Sequence, residues 1–168
     1  MISNNLPSNS RVWVYQSVKK FSNDELGVIT TKLKTFVAQW TSHKEGVVGD
    51  GAVLYNRFIV LMADEEQTSL GGCSIDSSVH FIKGLEKEFS TNFFDRWNIA
   101  YKKDNEVLSC SITEFGKLVE TKEVEDDTIV FNNLVQTKKD FEDKWEVPYK
   151  NSWLKNVEMA HTSFGSIL

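Results

Sequence analysis

Cys73, Asp76 and His80 stand at spacings of three and seven, directly after Gly71-Gly72. If a helix begins near Ser74, Cys73 lies at its positive end and the three side chains share roughly one face. A thiolate there is stabilised by unpaired amides, His80 is placed to take its proton, and Asp76 to orient the imidazole, which together would make a thiol-dependent catalyst. Parallel side chains on one helix face rarely converge, however. The preferred reading therefore makes Cys73 a small buried residue, Asp76 a first-turn helix stabiliser and His80 its surface partner. Between these lies anion binding: Gly71 and Gly72 let the backbone approach a ligand, and Ser74, Ser77 and Ser78 supply hydroxyls at a helix start. Arg57, beside Tyr55 and Asn56 where two strands turn, is a further candidate for a carboxylate or phosphate, although a pair with Asp64 or Glu65 is the preferred reading. No pair among Cys73, His80 and Cys110 has CxxC or HxxxH spacing, so neither a metal nor a cofactor is expected.

The elements that position these residues belong to an ordinary folded chain. Its 168 residues, 40% apolar and 26% charged with two prolines, bound one domain or one domain with a small appendage. A formal net charge of −5 without a basic cluster argues against nucleic acid or an anionic membrane as partner. The longest apolar run, Phe58 to Ala63, is far short of the roughly 20 residues of a membrane span, and Met1 to Ser10 is polar. A cytoplasmic location with two reduced thiols is the expectation.

Met1 to Ser10 reads as a flexible leader, residues 11–103 as an α+β core, 104–150 as a C-terminal extension or small subdomain, and 151–168 as a tail whose start docks on the body. Within the core, Arg11 to Tyr15 reads as a first strand. Ser22-Asn23-Asp24-Glu25 is a capping box, with Phe21 and Leu26 as its hydrophobic staple. Leu26, Ile29, Leu33, Phe36, Val37 and Trp40 recur at helical spacing behind it. After a turn around Gly46 to Gly51, Ala52 to Tyr55 and Phe58 to Ala63 read as paired strands, the second apolar on both faces. An acidic loop, Asp64 to Leu70, leads to the glycine turn. Ile75, Val79, Ile82, Leu85 and Phe89 then stripe a second helix.

Trp97 to Lys103 and Glu106 to Ser111 read as a hairpin turning at Asp104-Asn105. Ser111 to Glu114 forms another capping box, opening a helix through Val119. Glu120 to Asp127 reads as a solvated acidic connector, Asp127 to Phe131 as a strand, and Thr137 to Trp145 as a helix stopped by Pro148. The order strand, helix, strand, strand, helix, strand is that of a two-layer, ferredoxin-like βαββαβ sandwich.

Three stretches resemble a family of uncharacterised Bacteroidetes proteins often labelled ABC transporter ATPase. They are Leu54-Tyr55-Asn56-Arg57-Phe58-Ile59-Val60-Leu61, Gly72-Cys73-Ser74-Ile75-Asp76-Ser77-Ser78-Val79-His80-Phe81-Ile82 and Asp127-Thr128-Ile129-Val130-Phe131-Asn132-Asn133-Leu134-Val135. The resemblance implies a bacterial, cytoplasmic protein. It does not carry ATPase activity, because Gly49-Asp50-Gly51 runs into Ala52-Val53 and no Gly-Lys-Ser/Thr triplet closes a phosphate loop. Trp97 to Trp145 is similar to GYF-like adaptor modules, without the Gly-Tyr-Phe signature, and implies a small interaction module at that end.

Together these readings describe a non-catalytic binding or interaction module, with a candidate anion site at Gly72 to Ser74. Its partner would be a small anion or a protein, and a homodimer through a sheet edge or the C-terminal aromatics is a further candidate. A thiol-dependent enzyme using Cys73 and His80 is the alternative.

Overall fold

The computed structural model describes residues 5–42, 48–64 and 72–157. The acidic loop from Glu65 to Leu70, Gly71 and the tail beyond Val157 lie outside them, as do the side chains of Gly72, Cys73 and Ser74. The chain is α+β, with two antiparallel sheets of three and four strands. It divides into two compact units, the first built from residues up to Asp95 with Asn133–Asp143, the second from Arg96–Asn132 with the residues from Lys144 onward.

In the first unit, β1 (Arg11–Gln16), β2 (Gly49–Leu54) and β3 (Phe58–Ala63) form a sheet of order β1-β3-β2. β3 is buried along its whole length, as its unbroken apolar run requires of a central strand. Helix α1 (Asn23–Ser42) begins at the expected capping box: Glu25 N–H donates to Ser22 Oγ (3.2 Å), and Ser22 N–H to Glu25 Oε2 (2.9 Å). Its Ile29 and Leu33 meet Ile59, Leu61 and Ala63 from β3 and Ile82 and Leu85 from α2 (Gly72–Phe89) in one core. Phe36 stacks on Phe81 at 4.4 Å between the two helices.

β2 starts three residues before the expected strand. Gly49-Asp50-Gly51 reads locally as a turn, yet each residue pairs with β3. The cause is tertiary: a Cβ on Gly51 would come within 3.1–3.2 Å of Leu61, Leu33 and Val37, so only glycine lets α1 lie this close to the strand.

The leader is fixed from Leu6 onward. Leu6 and Ser10 are buried, Lys138 Nζ donates to the Leu6 carbonyl (2.8 Å), and Lys138 and Lys139 N–H donate to the Ser10 and Ser8 carbonyls. The same returning segment lies along β1, where Val12 N–H donates to the Gln136 carbonyl and Arg11 bridges Thr137. It therefore occupies the side of β1 where the ferredoxin-like order would place the strand that follows α2.

β4 (Asn98–Lys103) lies in the second sheet instead. There it pairs with β5 (Glu106–Ser111) over six registered positions and with β6 (Ile129–Phe131), which in turn pairs with β7 (Glu146–Pro148), in the order β5-β4-β6-β7. The β4–β5 turn puts Asp104 and Asn105 at φ 51° and 64°, the left-handed pair that a two-residue hairpin favours. This hairpin keeps residues 98–111 in one unit, so the division between units falls after Asp95 rather than after Lys103.

Helix α3 (Ile112–Glu120) opens on the expected Ser111–Glu114 capping box and buries Phe115 against Tyr101 and Tyr149. α4 (Lys138–Lys144) ends before Pro148, as expected of a stop signal, but Pro148 itself sits in β7 (Glu146–Pro148). That edge position needs no outward N–H. The acidic connector is paired as well as solvated: Glu123, Asp126 and Asp127 hold Lys103, Lys155 and Lys150 at 3.0, 2.9 and 2.6 Å. Such exposed pairs add little stability. The start of the tail docks as expected, with Leu154 buried and Trp153 packed on the second core.

Candidate functional site: the α2 start and the β2–β3 turn

Helix α2 begins at Gly72, which puts Cys73 in its first turn. Asp76, Ser77 and His80 are exposed along the following turns. Asp76 and His80 are four residues apart, on the same side of the helix, and no hydrogen bond or ion pair joins them among the described residues.

Ser78 turns the other way. It is fully buried, its hydroxyl donates to the Ile75 carbonyl (2.7 Å) and bonds the Tyr15 phenol, and so it is not among the hydroxyls offered to a ligand. Burial raises the Tyr15 pKa above the ordinary phenol value, and the Ser78 bond opposes that rise. The sequence carries a signal for this inward Ser78: it lies three residues after Ile75 and four before Ile82, on the apolar stripe.

The second group of residues lies in the β2–β3 turn. Tyr55 and Asn56 both have φ 52°, and Arg57 N–H closes the turn onto the Leu54 carbonyl (3.0 Å). Asparagine visits this left-handed region readily, whereas a bulky aromatic does so only under strain. Arg57 explains how the strain is held. Its side chain is buried, and Nη1 donates to the carbonyls of Ser17 (3.0 Å) and Val18 (2.9 Å). Ser17 N–H donates back to the Arg57 carbonyl (2.9 Å), and Phe21 N–H donates to that of Asn56 (2.8 Å).

The loop that receives these bonds is itself anchored. Ser17 and Thr91 share a hydroxyl bond of 2.6 Å, and Lys19 Nζ reaches both Glu25 and the Phe89 carbonyl at 2.8 Å. Arg57 is thus engaged with backbone carbonyls, and burial lowers its pKa from the ordinary guanidinium value. Tyr55 is 42% exposed and meets Phe58 edge to face at 6.3 Å.

Cys110 lies on β5 in the second unit, opposite Ile99. Burial, with the Glu114 carboxylate adding to it, pushes its thiol up to about 11. Among the described residues no group of three or more His, Cys, Asp or Glu side chains could hold a metal ion, and no helix is long and apolar enough to cross a membrane. No family model, curated protein or solved structure matches this chain.

Proposed function

We propose that the chain is a non-catalytic binding or interaction module whose contact point is the β2–β3 turn. One observation carries this reading: an exposed tyrosine sits in a strained left-handed conformation in a turn that is pinned by the buried Arg57, bonded to the loop after β1. Backbone strain that persists under several independent bonds accumulates where a side chain must be presented in a fixed direction. A tyrosine fixed in this way offers apolar area and a hydroxyl to a partner at small cost in side-chain entropy. The backbone at Gly72 to Ser74 and the Ser77 hydroxyl are a second place at which a small anion would be received. The thiol-enzyme alternative rests on Cys73 lying in the first turn of α2.

Photo-crosslinking tests the module reading. A benzophenone side chain at Tyr55, in bacterial lysate, is expected to give one dominant adduct of defined mass. Unlabelled wild-type protein should compete it away, while Tyr55→Asn protein should not. The same probe at the exposed helix position Thr35 should give none. An identical spread of adducts at both positions would remove the turn as a contact point.

A further inference from the structure

We infer that Asp50 closes the free edge of β2 against pairing with a second copy of the chain. This inference is independent of the role proposed for Tyr55. In the order β1-β3-β2, no strand lies beyond β2 among the described residues.

Asp64 N–H donates to the Val48 carbonyl (2.8 Å), which continues the β2–β3 register by one step and makes Val48–Asp64 a hydrogen-bonded pair. Such pairs alternate along an antiparallel ladder. Asp50, Ala52 and Leu54 therefore turn their backbone groups toward β3, and Gly49, Gly51 and Val53 turn theirs toward the open edge. β2 has neither lysine nor proline, the usual edge defences. Its defence is Asp50 Oδ1, which accepts the outward Gly51 N–H at 2.8 Å.

The occupant excluded is a second copy because the edge is self-complementary. A two-fold axis at Gly51 sets Gly51 against its own counterpart, and Gly49 against the counterpart of Val53. Outward donors then meet outward acceptors, with no side chain at the centre. Capping the Gly51 amide removes the middle donor of that ladder. Substitution at Gly51 is a poorer defence, because a Cβ there would come within 3.1–3.2 Å of Leu61, Leu33 and Val37, whose side chains would have to give way.

Sedimentation velocity across a hundredfold concentration range tests the inference on four full-length proteins. Wild type is expected to stay monomeric through this edge, and Asp50→Ala to form a dimer as concentration rises. Asp50→Asn keeps an oxygen acceptor and should behave as wild type. Adding Gly49→Pro to Asp50→Ala should restore the monomer, since that outward N–H is absent from the β2–β3 ladder. Three results would overturn the inference: Asp50→Ala sedimenting as wild type, Asp50→Asn dimerising, or wild-type self-association that Gly49→Pro abolishes. Amide exchange in the wild-type protein gives a readout that does not depend on how the variants fold. Gly51 N–H should exchange at least tenfold more slowly than the Gly49 and Val53 amides, and equal rates would overturn the capping argument.

Discussion

Replacing Arg57 by alanine is expected to lower the stability of the first unit by about 3 kcal/mol. The side chain donates two hydrogen bonds from a charged group to the Ser17 and Val18 carbonyls. Bonds of that kind contribute roughly 1.5–3 kcal/mol each. Against this, alanine relieves the cost of holding a guanidinium away from water, so the net effect is smaller than the sum. Lysine keeps a charge but loses the planar fork, and Arg57→Lys should recover only part of the loss. Urea unfolding at neutral pH, followed through the amides of Val60 and Leu61 in β3, reads the effect. Arg57→Ala should also unlock the Ser17 and Phe21 amides, which are bonded to the same turn. A loss under about 1 kcal/mol would mean that Arg57 does not hold the turn.

Cys110 is expected to resist alkylation at neutral pH and to react about tenfold faster for each pH unit up to about 11. The thiolate is the nucleophile, and with a thiol pushed up to about 11 its fraction near pH 8 is on the order of one in a thousand. The shift also has a sign for stability. An unfolded cysteine loses its proton near pH 9, two units below the folded value, so the unfolded state binds fewer protons over that window. The stabilisation is fully present below about pH 9 and is lost as pH rises through about 11, by about 2–3 kcal/mol for two units. Cys110→Ala should remove this part of the alkaline loss. The Tyr101 phenol, raised first by burial and then by Cys110, would account for some of the remainder.

The same labelling series separates the two functional readings. A Cys73 that reacts with iodoacetamide much faster than Cys110 at pH 7, and slows in His80→Ala, would favour the thiol enzyme. Slow labelling of both retires that reading.

Local signals in the sequence were legible wherever the physics is local. Ser22–Glu25 and Ser111–Glu114 each mark a helix start because the reciprocal bonds span three residues. The unbroken Phe58 to Ala63 run likewise implied a strand buried on both faces. Long-range choices were not legible. Element order alone put β4 in the first sheet, whereas its partners are β5, which follows it across a tight turn, and β6. Gly49 to Gly51 carries turn residues, and its strand is imposed by β3 and by the approach of α1. At the site a turn was legible, but it was read at Asn56-Arg57 after a strand ending at Tyr55, whereas it is centred on Tyr55 and Asn56; neither the positive φ of Tyr55 nor the burial of Arg57 was visible. Both depend on the loop that follows β1, some forty residues away in sequence.

Whether the strain at Tyr55 serves a partner is decided by the stability of Tyr55→Asn, because asparagine adopts the left-handed region at little cost while removing the exposed ring. If the strain is kept for contact with a partner, the variant should be as stable as wild type or more so, by up to about 1 kcal/mol, while failing to compete for the partner captured by the probe at position 55. A loss of more than about 1 kcal/mol, in a variant that competes for the partner as well as wild type does, would make Tyr55 a packing residue against Phe58.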